Sequence, residues 1–146
     1  MSTRTASRQM GDTMTDDPSL GLTTITLATP MPGFPAHREF ALVRLNDDGL
    51  LYAFTSVDDP ELRFLVAPPE PFFPDYAPEI ENDILAAVNC KDPNRLLLMV
   101  VISAGKNETT ANLLAPIVVD QDSRRAMQVV LNGSNMPVRA VMNRAY

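Results

Sequence analysis

The chain offers one histidine and one cysteine: His37, in the run MPGFPAH, and Cys90. A zinc site needs several Cys or His ligands at close spacing, so these two do not make one. A serine nucleophile needs an adjacent base, and no serine sits in a G-x-S-x-G elbow. Neither a Walker-type loop nor G-x-G-x-x-G occurs, and no cofactor is expected. Asp58 and Asp59 are consecutive and precede Pro60, which suits an Asx turn better than a carboxylate dyad. One enzymatic reading survives. Asp75 could act as a general base beside a substrate gripped by Phe72 and Phe73. It requires a second polar group converging on a pocket.

The stronger signals suit binding. Phe72, Phe73 and Tyr76 stand with Asp75 in a proline-stiffened run, PPEPFFPDYAP. Aromatics on a rigid backbone make good anchors because little entropy is lost on contact. The same rings could equally plug the end of a fold. Pro32, Gly33 and Phe34 carry the same two readings, anchor or plug. Asn112, in TTANLLAPIVVD (109–120), can donate and accept. It could tie its loop to a neighbouring backbone or serve a partner; the structural use is favoured. Arg124 and Arg125 read as a solvated hairpin tip.

Composition bounds the partners. The net charge is −6, with no basic run to replace counterions on a phosphate backbone, so direct nucleic-acid binding is not expected. The same charge suits a basic protein partner. A single cysteine permits no internal disulfide, as in a reducing compartment. No apolar run approaches the ~20 residues of a membrane span. The segment 1–20 has no apolar core of a secretory signal and reads as a disordered tail, in which Met10 and Met14 are alternative starts. The remaining residues, 21–146, make one domain, expected to be monomeric and cytoplasmic.

The elements that must position these residues are short. The chain has 13 prolines in 146 residues, and each removes a backbone donor and fixes φ. LTTITLA (22–28) alternates apolar residues with threonine, a strand pattern. FALVRL (40–45) and LLYAFTS (50–56) flank the turn Asn46–Gly49 as a hairpin, and LRFLVA (62–67) continues the meander. Ile80, Ile84 and Val88 fall four apart, with Leu85 beside them, so 79–88 reads as a helix. RLLLMVVIS (95–103) is apolar on both faces and should be a central strand. Pro116 interrupts the next run before Ile117–Val119, which pairs back through a turn with Met127–Leu131. A second short helix is expected at 138–144. The sum is a mainly β fold: a small antiparallel β-barrel-like domain of about seven strands with one or two short helices.

Three segments together resemble the bacterial flagellar assembly factor FliW: MPGFPAHREFALV (31–43), VDDPELRFLVAPPEPFFPDY (57–76) and TANLLAPIVVDQDSRRAMQVVL (110–131). The family reads close to IPGF, then QS-x-x-D-P-x-L-x-F, F-x-P-D-Y, TANLLAPI, and R-x-x-Q-V/I-V/I-L. Met31 stands where Ile is usual, Phe54-Thr55 where Leu-Gln is commoner, and Ala67 where Asn often precedes proline. The tail 1–20 has no expected counterpart. The resemblance implies a cytoplasmic, non-enzymatic β protein that binds flagellin as a chaperone. It also implies binding of CsrA, the carbon storage regulator, an RNA-binding repressor of flagellin translation. Captured CsrA frees translation; accumulating flagellin displaces it. A flagellin chaperone without CsrA is the variant reading, and a purely structural assembly subunit a third.

Overall fold

Alternation along β1 (Thr23–Leu27) drives Ile25 and Leu27 inward and leaves Thr24 in solvent. The computed structural model describes residues 23–142, so the tail assigned to 1–20 lies outside the described residues. β1 pairs antiparallel with β2 (Glu39–Arg44), β2 with β3 (Tyr52–Ser56), and β3 with β4 (Arg63–Ala67). The β2–β3 turn is held by Asn46 and Asp48, whose side-chain oxygens both accept from the Leu50 N–H. Gly49 takes φ +73° there, a conformation that costs a glycine nothing.

A helix α1 (Asn82–Ala87) and a 3-10 turn at Pro93–Arg95 follow β4 and lead into β5 (Leu96–Ala104). The helix is shorter than the apolar spacing suggested, and Val88, just beyond its end, is fully buried. β5 is central, as its two-faced apolarity requires. One edge pairs with β4, through Val66↔Val101. The other pairs first with β7 (Ile117–Asp120) and then with β6 (Thr109–Ala111). β8 (Arg125–Gln128) pairs with β7 and returns to β1.

The ring β1-β2-β3-β4-β5-β7-β8 therefore closes on itself, while β6 and β9 (Ala140–Val141) lie outside it. Strand count decides one feature that the expectation of antiparallel pairing missed. Directions that alternate around a ring of seven must meet once in parallel. That pair is β1–β8, joined at Thr26↔Arg125 and Leu27↔Ala126. The helix expected at 138–144 is absent where the structure describes it. Pro137 gives its carbonyl to the Leu113 N–H at 3.0 Å, and Met142 donates to the Thr109 carbonyl at 3.0 Å. These two bonds hold the segment extended, and β9 pairs with β6.

Two apolar clusters form on opposite faces of the sheet. Ile25, Leu27, Met31, Phe40, Phe54, Val66, Met99 and Ile117 fill the barrel, with Phe40 and Phe54 stacked at 4.5 Å. Their sequence neighbours Ala67 and Val100 point the other way, and join Phe72, Ile102, Ala111 and Leu113 in a smaller cluster outside it.

Candidate functional site

The outer cluster is where the aromatic run lands. Phe72 and Phe73 both donate their N–H groups to the Pro69 carbonyl, at 3.0 and 2.7 Å, and Tyr76 donates to that of Phe73. These turns fold the proline-rich loop against β4 and β5. Phe72 is buried; Phe73 and Tyr76 are half-buried against the same cluster; Asp75 and Pro74 face solvent. Phe72 is therefore core, but of the outer cluster, not a plug in the end of the barrel. Phe73, Asp75 and Tyr76 form the accessible part of the loop.

Tyr76 ties this loop to the second segment of interest. Its Oη donates to the Leu113 carbonyl at 2.7 Å. Burial pushes the phenol up to about 12. Leu113 belongs to the five-residue insert Asn112–Pro116, which lies between β6 and β7 where both pair with one edge of β5. Asn112 donates its N–H to the Val101 carbonyl at 2.9 Å. Its Oδ1 accepts from the Leu114 and Ala115 N–H groups, at 3.0 and 3.1 Å. The run TTANLLAPIVVD is thus two strands joined by a bulge that Asn112 closes, the structural use of that side chain. Pro116 lies at the end of the bulge, where it donates no ladder bond.

The second set, Pro32, Gly33 and Phe34, sits elsewhere. Gly33 has φ +90° in a turn closed by the Phe34 N–H on the Met31 carbonyl at 3.0 Å. Met31 enters the barrel core, and Phe34 lies edge-on to Phe64 with ring centres 5.7 Å apart. Pro32 and Gly33 are exposed. Met31 and the Phe64 ring tie this set to the barrel cluster, while Phe72, Phe73 and Tyr76 pack on the outer one. Asn112 joins the aromatic loop through Tyr76 and Leu113.

Two arrangements escaped the sequence reading. His37 is half-buried, and its Nδ1 lies 2.9 Å from Ser56 Oγ. Ser56 is buried, and its Oγ accepts from the Asp58 and Asp59 N–H groups, each at 3.2 Å. The serine of the S-x-x-D-P pattern is therefore a turn clamp, bonded to a loop 19 residues away in sequence.

The other is a cleft of about 670 Å³ between the end of α1 and the β7–β8 turn, with Cys90, Asp120 and Ser123 in its wall. Asp120 is 1% exposed. Its Oδ2 accepts from the Ser123 N–H at 2.7 Å, while Oδ1 has no hydrogen-bond partner among the described residues. Desolvation pushes this carboxyl up, but the bonds from Ser123 and the Cys90 thiol outweigh it and hold the group below its usual range. Burial, then the Asp120 carboxylate beside it, pushes the Cys90 thiol up. Ser123 Oγ donates to the Val88 carbonyl at 2.6 Å and Arg125 Nε to that of Ala87 at 3.4 Å. Arg125 thus closes the end of α1, whereas Arg124 remains exposed at the hairpin tip. In the sequence, the turn residues Asp120–Ser123 were the only signal of this cleft.

Among the described residues no three His, Cys, Asp or Glu side chains cluster to hold a metal, and no helix is long and apolar enough to cross a membrane.

Comparison with known proteins agrees with this architecture. The family model for the FliW protein matches residues 4–142, reaching into the segment expected to have no counterpart. A flagellar assembly factor FliW from Syntrophomonas wolfei is 32% identical over 111 residues, covering 75% of this chain and 71% of that protein. The namesake from Syntrophus aciditrophicus is 36% identical over 109 residues, covering 73% and 69%. A crystal structure of the flagellar assembly factor FliW superposes with TM-score 0.75 at 26% identity, over 88% of this chain and 89% of that one. The chain belongs to the FliW family.

Proposed function

We propose that this chain is a non-enzymatic, cytoplasmic flagellar assembly factor. It binds flagellin as a chaperone and binds CsrA, relieving CsrA's repression of flagellin translation. It works as a monomer, as one domain over 21–146. The observation that carries the reading is the family match over nearly the whole chain, with relatives named as flagellar assembly factors. The physical chemistry agrees. Asp75, the base of the enzymatic reading, is exposed and lies outside the wall of the polar cleft. The bonds at Pro69 and Tyr76 hold the aromatic loop rigid, so its exposed part can dock at low entropic cost. The contact surface we assign is Phe73, Asp75 and Tyr76, with Asn112 alongside; the exposed Pro32 and Gly33 beside Phe34 form a second patch. Two partners drawing on one pool of binder exclude each other by mass action.

The test is titration calorimetry with flagellin and with CsrA from the same organism. Saturable heats with both, and loss of CsrA when flagellin is added, are expected. Binding of flagellin alone selects the chaperone-only variant. Heat with neither refutes the assignment.

A further inference from the structure

The cleft beside Asp120 plays no part in the surface just assigned. A buried carboxylate is ordinarily paired or hydrogen-bonded at both oxygens. Here one oxygen is bonded to the Ser123 N–H and the other, Oδ1, has no such partner. The Asp122 N–H also favours the Asp120 carboxylate, but no donor reaches hydrogen-bond geometry at Oδ1 among the described residues. The Cys90 S–H is shared between the Asp92 carbonyl, at 3.4 Å, and the Asp120 carboxylate, to which it contributes only a weak sulfur bond. Ser123 Oγ and Arg125 Nε serve the carbonyls at the end of α1. Arg95 pairs with Asp122 at 3.2 Å. Among the residues that line the cleft, Lys91 is the one cation, and it is exposed. The last turn of α1, which forms the opposite wall, carries no basic residue.

We propose that this cleft seats one alkylammonium group, the head of a lysine side chain presented by a protein partner. The chemistry selects the ligand. A guanidinium fork is best matched by two free oxygens of one carboxylate, and Asp120 has one. A metal ion needs a cluster of hard or thiolate ligands, which the described residues do not supply. A lysine ammonium is a compact charge with three rotatable donors, one of which can meet a single acceptor while the others face solvent at the cleft mouth. The Cys90 thiol must turn aside to let it reach Oδ1. The carrier rests on the proposed function; the seat rests on Asp120 alone.

The experiment is a titration of the whole chain followed by amide NMR at Ser123 and Cys90. The probes are methylammonium and tetramethylammonium chloride at constant ionic strength. The two carry equal charge, but only the first donates hydrogen bonds. Saturable shifts with methylammonium alone, abolished by Asp120→Asn, are expected. Asn retains an acceptor for the Ser123 N–H. Should that variant fail to fold, Lys91→Ala serves instead, and the probe binds it at least as tightly as wild type. Equal shifts with both salts, or no saturation, overturn the seat whatever the partners do. In calorimetry with flagellin and CsrA, Asp120→Asn is expected to weaken one of them by about tenfold or more. Methylammonium saturation with both affinities unchanged overturns the partner lysine and points to a free amine such as spermidine, which would then bind the cleft in its place.

Discussion

Asn112 separates structure from recognition. Its Oδ1 closes the bulge between β6 and β7 by accepting two backbone N–H groups. Truncation to alanine removes both bonds and leaves two donors in a half-buried bulge. Each neutral bond contributes about 1 kcal/mol, so Asn112→Ala should lose about 2 kcal/mol. For a chain of this size that lowers Tm by about 7 °C. Asn112→Asp keeps the acceptor, removes the amide donors and adds a negative charge. It should melt close to wild type at neutral pH. Thermal unfolding by circular dichroism measures the first effect, and hydrogen exchange at the Leu114 and Ala115 amides locates it. If the alanine variant melts like wild type with both amides still protected, the bulge does not depend on this side chain and the reasoning is wrong. The aspartate variant then reads recognition. If it keeps its stability but loses affinity for flagellin, the side chain at position 112 faces the partner.

Tyr76→Phe removes the bond to Leu113 and should cost about 1 kcal/mol, measured by urea unfolding. The folded phenol, raised from 10.0 to about 12, holds its proton more tightly than the unfolded one. Its contribution is therefore intact below pH 10 and lost as pH rises toward 12, and the Phe variant should lack that alkaline component. Asp120→Asn removes the charge that helps push the Cys90 thiol up, so iodoacetamide should alkylate Cys90 faster at fixed mildly alkaline pH; an unchanged rate contradicts the placement. Ser56→Ala deletes the clamp on Asp58, Asp59 and His37, and should lower stability by about 2 kcal/mol in the same urea assay.

The strands that the sequence revealed were those whose signal is local. The alternation of LTTITLA, the hairpin around Asn46–Gly49 and the two-faced run of β5 each appear where expected, within a residue or two. What escaped depends on distant chain. The segment 138–144 reads as a short helix by itself, yet Ala140–Val141 becomes a strand because β6 offers an edge. Phe72 could not be assigned to core or surface, because the outer cluster that receives it is assembled from β4, β5 and β6. Ser56 and His37 meet across 19 residues. The Asp120 cleft forms only when the end of α1 packs on the β7–β8 turn. The aromatic loop and Asn112 were picked out by residue type; their joining through Tyr76 and Leu113 came from the fold.

The central claim is that a rigid aromatic loop on a closed barrel serves capture of flagellin rather than catalysis. Calorimetric titration of flagellin into wild type and into Phe73→Ala tests it most directly. Wild type should form a saturable complex of micromolar or tighter affinity, and the folded variant should bind about tenfold or more weakly. A wild-type chain that gives no complex with flagellin, or a folded Phe73→Ala chain that binds it unchanged, contradicts the account.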